Sequence, residues 1–305
     1  MNLIDTQYII SHKAQENGFS HIGFSKAVET DQQFQRHFDL WLENQNQAYM
    51  DYLERNKDKR FDPRKLHEGT KTIISLLYPY EKAKQPDDCK IASYAHGEDY
   101  HDFLRKKIKP VLDLIMDIEP YHTPRFFVDS APVADRYWAW KNGLGFIGKN
   151  GFLIHPENGS RFFIGHIFTA LEFWEHNETH INQACGSCTK CIEACPTQAI
   201  DPQNGLNANL CISYHTIESK EAIPKAIAEK NPGWIYGCDI CQDVCPYNHK
   251  TILPSPELHS TWPGNPTKEE WLAMTEKEFA IKFKGTPLER TGLEKIRSNT
   301  KISGH

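Results

Sequence analysis

A mixed α/β fold followed by a compact cysteine-rich unit is what this sequence predicts, and two observations predict it. Helical apolar spacing alternates with short β-branched and aromatic runs through the first 175 residues, and eight of the nine cysteines then crowd between Cys185 and Cys245. A chain of 305 residues is long for one core, since domains usually span about 100 to 200 residues. The expected partition is 1–175, an α/β domain; 176–254, the cysteine-rich domain; and 255–305, a short basic helical tail.

Each element has a local reason. Helices are expected over Thr6 to Asn17, ended by Gly18; over Gln32 to Glu43, with Phe34, Phe38 and Trp41 on one face; and over Tyr100 to Ile118. The last carries Phe103, Leu104, Ile108, Val111, Leu112 and Ile115 as an apolar stripe. Strands are expected over His21 to Phe24, Thr72 to Leu77, Phe126 to Asp129, Phe152 to His155 and Phe162 to Leu171. With 39% apolar and 25% charged residues the chain has enough hydrophobic material for a buried core, which excludes extensive disorder.

Met1 to Ile10 contains neither a basic region before an apolar run nor a twin-arginine pair, and no stretch approaches transmembrane length. A cytoplasmic protein is expected, where thiols stay reduced and clustered cysteines more often bind metal than form disulfides. The net charge of -5 provides no global basic field for nucleic acid, so any such contact must use local patches.

The cysteine spacing is the most specific signal. Cys185-x2-Cys188-x2-Cys191-x3-Cys195-Pro196 matches the bacterial ferredoxin run, including its proline. A second run, Cys238-x2-Cys241-x3-Cys245-Pro246, lacks its leading cysteine, and the isolated Cys211 is available to replace it. In two-cluster ferredoxins the last cysteine of each run ligates the other cluster. Cluster one is therefore expected on Cys185, Cys188, Cys191 and Cys245, and cluster two on Cys195, Cys211, Cys238 and Cys241. Both would be 4Fe-4S, because thiolates are soft donors suited to such clusters. Zinc ribbons also open on Cys-x2-Cys pairs, but they require neither the third cysteine nor the Cys-Pro ending. Radical chemistry on S-adenosylmethionine would need cysteine where Gln198 and Asn248 stand.

Other candidates are less specific. Gly143, Gly145 and Gly148 spell G-x-G-x-x-G, but the motif follows a helix expected from Pro132 and precedes a strand, the reverse of a dinucleotide site. Asp129 stands at the carboxyl end of a strand, where ligand sites of open α/β sheets gather. Ser130 is expected to cap the next helix and Pro132 to occupy its first turn. The helix would favour an ionised Asp129, so a proton-donating role requires burial to outweigh it. Asp135 and Arg136 read as a surface pair, His96 and His101 as ordinary polar surface, and Cys89 as part of a surface loop. Two basic runs, Lys57 to Lys65 and Lys282 to Lys301, could touch phosphates, although solvated charge accounts for them too.

Lys59-Arg60-x-Asp62-Pro63, Gly97-x-Asp99-Tyr100-His101, Val128-Asp129-Ser130, Gly148-Lys149-Asn150, Cys211-Ile212-Ser213-Tyr214 and Tyr236-Gly237-Cys238-Asp239 occur in order around the cysteine pattern. Together they resemble the epoxyqueuosine reductases, cobalamin-dependent iron-sulfur enzymes of queuosine synthesis in tRNA. The resemblance implies a nitroreductase-like cobalamin-binding domain, with the corrinoid base-off, beside a two-cluster ferredoxin-like domain. It implies electron flow through both clusters to cobalt, reduction of the epoxide and loss of its oxygen as water. Asp129 matches the family's proton donor; Arg60 and Ser213 match corrinoid contacts, and Lys149 and Asn150 are expected beside it. Leu104 stands where a corrinoid-binding Asp-x-His-x-x-Gly motif needs glycine, so no protein histidine is expected as lower ligand. The implied partners are the anticodon stem-loop of tRNA and an external flavodoxin- or ferredoxin-type donor, with the chain a monomer in its short form without helical repeats of the HEAT type. Because Cys211 and Ser213 share one stretch, cluster two is expected nearer the cobalt and cluster one nearer the donor. The alternatives are a corrinoid reductive dehalogenase and a two-cluster electron-transfer protein without its own substrate.

Overall fold

The computed structural model describes residues 3–173, 184–249 and 256–302. The expected domain boundaries after residues 175 and 254 both fall outside the described residues.

Helix α1 (Leu3–Glu16) leads into strand β1 (His21–Lys26), helix α2 (Gln32–Glu43) and strand β2 (Thr72–Pro79). Helix α3 (Tyr100–Ile118), strand β3 (Arg125–Phe127), helix α4 (Asp135–Lys141) and strand β4 (Phe162–Thr169) complete the first unit. Its sheet runs β1-β2-β4-β3, with every neighbour antiparallel. All eight residues of β2 are buried, as a mostly apolar central strand between two covered faces should be, with Ser75 Oγ hydrogen-bonded inside. On one side the stripe of α3 packs with Ile10, Ala14 and Phe19 against Ile74 and Leu76. On the other, α4 contributes Tyr137 and Trp138, which pack against Ile73 and Phe168.

Local chemistry explains the helix starts. The Asp31 carboxylate accepts from Phe34 N at 2.8 Å, and Asp99 accepts from His101 N at 2.9 Å, each satisfying an N–H that the helix cannot. Gly143, at φ 72°, ends α4 and accepts the left-handed conformation that a C-terminal turn favours. This places the glycine motif at a helix end, before the short strands Phe146–Ile147 and Leu153–Ile154.

Four expectations are corrected. Helix α4 begins at Asp135 with no side-chain cap, so neither Ser130 nor Pro132 starts it; Val133 and Ala134 are drawn into the core first, and a tight Val133 N to Ala131 O bond prolongs the turn. Cys89 is 1% exposed, beneath the carboxyl-terminal helices, and burial pushes its thiol up to about 11. His96 and His101 are buried, at 5% and 8% exposure, rather than surface residues. Residues 256–302 are not an appended tail: Trp271, Phe279, Phe283, Leu288 and Ile296 form a core with Ile91, Ile235 and Tyr236.

The cysteine-rich unit is fastened to the first. Trp234–Tyr236 pairs in parallel with Lys90–Ile91, and Trp41 Nε1 donates to Leu206 O at 2.7 Å. The buried Asp239 carboxylate accepts from both Ser93 N, at 2.8 Å, and Ser93 Oγ, at 2.6 Å. Arg161 Nη1 lies 3.8 Å from the same carboxylate.

Truncating Trp271 tests whether residues 256–302 belong to the core. Trp271→Ala should cost about 3 to 5 kcal/mol, the range for deleting a buried large aromatic, measured by urea unfolding of the anaerobically purified protein; a loss near zero would contradict the packing.

Candidate functional site

Asp129 lies two residues beyond β3 with φ 44°, a left-handed conformation uncommon for residues other than glycine. The edge strand stops at Phe127, Val128 turns into the core, and the strained turn brings the Asp129 carboxyl into a cleft-like gathering of side chains from distant segments. Tyr100, in the first turn of α3, donates its hydroxyl to Asp129 Oδ2 at 2.7 Å. Tyr100 is itself clamped between His101, at 4.1 Å between ring centroids, and Phe163, at 4.5 Å. Part of Asp129 meets solvent, but the protein crowded around its carboxyl raises its pKa above the ordinary range. Repulsion from Asp135 acts in the same direction, while the Tyr100 hydrogen bond and the charges of His101 and Arg136 oppose it. Burial thus outweighs the donors, and a proton is retained more tightly than on a solvated aspartate.

The cleft draws on distant segments. Arg60, on the helical turn Lys57–Phe61, donates through Nη1 to Val133 O at 2.9 Å and lies over the Phe38 ring. Its buried Nε has no hydrogen-bond partner, a cationic donor disposed to meet an external acceptor. Tyr52 feels the charges of Glu218, Asp129 and Arg60, and burial lifts its phenol to about 12. Glu218 also has a raised pKa, from burial first and then from Asp129. Arg290, expected in a solvated basic tail, instead lies 3.2 Å from Asp99 through Nε, and Asp99 accepts from His101 Nδ1 at 2.8 Å.

The cysteines gather as two sets. Cys185, Cys188, Cys191 and Cys245 line one cavity of about 270 Å³ with Ile154, Pro246 and Tyr247. In the other set Cys238 is raised by burial and then by the nearby Cys211 and Cys195, and Cys241 by burial and then by Cys238 and Cys211. Among the described residues no three Cys, His, Asp or Glu side chains gather as closely as one metal ion requires; the first set surrounds a cavity instead. Backbone N–H groups already point at the sulfurs: Lys149 N at 3.4 Å from Cys185, Ala199 N at 3.3 Å from Cys195, and Ser213 and Tyr214 toward Cys211. Thiolates bound to iron accept such bonds, so the donor set fits iron-sulfur clusters.

Arg60 and Asp129 are therefore brought together, and Ser213 lies on helix α5 (Ile212–Ile217), between Cys211 and Glu218 in the chain. Lys149 and Asn150 do not join them. Lys149 Nζ donates to Gly186 O and Cys188 O, both at 2.9 Å, and Asn150 Nδ2 approaches Cys241 O at 3.4 Å, because the Phe146–Ile154 segment folds over the cysteine loops. Sequence reasoning assigned no role at this site to Tyr52, Tyr100 or Arg290, the last read only as part of a basic run that could touch phosphates. The Gly97-x-Asp99-Tyr100-His101 motif was a signal for Tyr100; nothing local marked the other two.

Residues 184–248 match the model of a 4Fe-4S double cluster binding domain, and residues 60–130 match that of epoxyqueuosine reductase. An epoxyqueuosine reductase from Cyclobacterium marinum is 39% identical over 302 residues, 95% of this chain and 94% of the relative. A crystal structure of an epoxyqueuosine reductase with an epoxyqueuosine-modified tRNA-Tyr stem loop superposes with a TM-score of 0.84 at 29% identity, covering 99% of this chain and 81% of that one. A Bacillus subtilis epoxyqueuosine reductase with its catalytic aspartate loop swung out of the active site also gives 0.84, at 28% identity, over 99% and 82% of the two chains.

Replacing Cys211 by alanine should lower iron from about eight to about four atoms per reconstituted chain, while Cys89→Ala leaves it unchanged; iron and sulfide analysis decides.

Proposed function

The chain belongs to the epoxyqueuosine reductase family, and we propose that Asp129 delivers a proton, and the two cysteine sets the electrons, that convert epoxyqueuosine to queuosine in a tRNA anticodon loop. Loss of the epoxide oxygen as water consumes two electrons and two protons per ring. The observation that carries the reading is helix α5: it starts at Cys211 and ends beside Glu218, whose charge reaches Asp129. Seven steps at about 1.5 Å each put roughly 10 Å of helix between Cys211, of the second set, and Glu218.

The ligand sets are Cys185, Cys188, Cys191 and Cys245 for one 4Fe-4S cluster and Cys195, Cys211, Cys238 and Cys241 for the other. The first domain is read as nitroreductase-like and cobalamin-binding. Bound there base-off, cobalamin supplies a low-valent cobalt capable of reducing an epoxide. Arg60, with its unpartnered Nε, would take an amide or phosphate acceptor of the corrinoid; Ser213 and Asp129 would border it. Lys149 and Asn150 are reassigned to holding the cysteine loops. Asp129 keeps its proton through the crowding around it, and Tyr100 orients the carboxyl. The left-handed turn at Asp129 is compatible with a loop that moves, as the swung-out aspartate loop of the Bacillus subtilis relative does.

Cys195, Cys211, Cys238 and Cys241 would hold the cluster nearer the cleft, and Cys185, Cys188, Cys191 and Cys245 the one beside the exposed edge formed by Gly186 and Lys190, where a flavodoxin- or ferredoxin-type carrier would dock on a monomer; the clusters would supply one-electron chemistry. Among the described residues no helix is long and apolar enough to cross a membrane. The tRNA stem-loop is read as meeting the cleft mouth and the Lys57 to Lys65 run, where Lys57 and Arg64 are steadied by Asp39 and Asp62.

Anaerobic reconstitution with cobalamin, followed by turnover of epoxyqueuosine-containing tRNA, tests the whole. Corrinoid uptake and queuosine formation are expected, and clusters without corrinoid uptake would defeat it. Asp129→Asn should reduce turnover at least a hundredfold, the scale of general-acid catalysis, with cluster absorption intact. Because the acid form is required, wild-type turnover should fall as pH rises through the raised Asp129 pKa; a rate indifferent to pH there would count against the donor.

A further inference from the structure

We propose that His166 is a positioning residue for proton donation: from inside the sheet it donates its Nε2 proton to Asp135 and so fixes the carboxylate that faces Asp129. The proposal rests on Asp129 as the donor.

His166 has no exposed surface, and a polar side chain in a sheet core needs hydrogen-bond partners. It stands on β4 opposite Ser75 of β2 and Phe127 of β3. A chain of contacts assigns its proton. Asn142 Nδ2 lies 3.2 Å from both Gly23 O and Ile73 O, and two carbonyl oxygens require the amino end of the amide there. The same nitrogen is 2.6 Å from Ser75 Oγ and donates to it. The serine hydroxyl then directs its own hydrogen to His166 Nδ1, 2.9 Å away. With Nδ1 accepting, a neutral imidazole carries its proton on Nε2. Nε2 lies 3.4 Å from Asp135 Oδ1. That is longer than an ordinary hydrogen bond, and both atoms are buried with no hydrogen-bond partner at all, which leaves a donor and an acceptor facing each other unsatisfied.

Asp135 is well placed to transmit this order. It occupies the first turn of α4, and its charge acts on Asp129, Arg60 and Arg136. The groups that interact electrostatically with Asp129 are Asp135 and Arg136 of α4, Tyr100 and His101 of α3, Tyr94 from the turn before α3, Arg60 and Tyr52 from the segment before β2, and Glu218 after α5. Of these, Asp135 is the charge that favours the protonated carboxyl most strongly. Its orientation comes from His166, and that of His166 from Ser75 and Asn142.

The test is the pH profile of single-turnover reduction by the cobalamin- and cluster-loaded enzyme. His166→Phe should move the alkaline limb down by about one pH unit, a tenfold change in the Asp129 proton equilibrium, because Asp135 is no longer held toward Asp129. His166→Gln, whose amide N–H can face Asp135, should restore the wild-type limb. The limb of His166→Phe/Asp135→Asn should coincide with that of Asp135→Asn alone. An unmoved limb in His166→Phe, or additive shifts in the double variant, overturns the proposal. Nitrogen-15 histidine NMR of the loaded enzyme provides a readout independent of turnover: an Nε2-protonated His166 is expected, and an Nδ1-protonated one removes the assignment even with the donor intact. Surviving turnover in Asp129→Asn would instead remove the donor itself, while the His166 tautomer stands or falls by the NMR.

Discussion

The buried carboxylate of Asp239 is the constraint on which the rest of the structure depends. It stands next to Cys238 in the chain and accepts two hydrogen bonds from Ser93, a residue of the first unit. Arg161 supplies a nearby positive charge, and burial still raises the Asp239 pKa, so the anion depends on these partners. Removing one partner of such a buried pair leaves the other unsatisfied, which is why the contact is a strong lock. Its position matters more than its energy: it fastens a cluster loop to the turn that leads into Tyr100. Distances between the cysteines and the cleft are thereby set by two short hydrogen bonds and a parallel strand pair rather than by a linker.

The surroundings of Asp129 raise the pKa of one carboxyl without sealing it from water. Asp129 meets solvent, but its surroundings are too crowded to hydrate the anion fully. Asp135 adds like-charge repulsion, and the Tyr100 hydrogen bond moderates the effect while fixing geometry. Arg290 reaches the same neighbourhood from the end of the chain through Asp99. The carboxyl-terminal helices therefore both cover a second core and supply a charge beside Asp99 and Tyr100. Asn299 ties them further to the cleft, donating to Thr216 O of α5 and Ile235 O at 2.9 Å each.

The basic runs illustrate how a fold redistributes charge. Lys57 and Arg64 are paired with Asp39 and Asp62, and Arg290 with Asp99. Lys295 donates to Glu221 O at 3.0 Å, and Arg297 to Met274 O. A count of lysines and arginines thus overstates the positive surface offered to a phosphate backbone.

Local code and long-range placement divide the remaining features. The cysteine sets, the stripe of α3 and the extent of α2 were legible in the sequence because ligand spacing and helical periodicity are written within a few residues. Helix α4 was misjudged at its start because the pull of Val133 and Ala134 into the core is exerted by strands elsewhere in the chain. Cys89, His96 and His101 read as surface for the same reason: what buries them is sequence-distant. Asp129 was visible as a candidate, but its raised pKa, the orphaned Nε of Arg60 and the arrival of Arg290 belong to the tertiary structure. A motif specifies which atoms can bind or react; only packing decides how much water and which charges surround them, and those determine protonation.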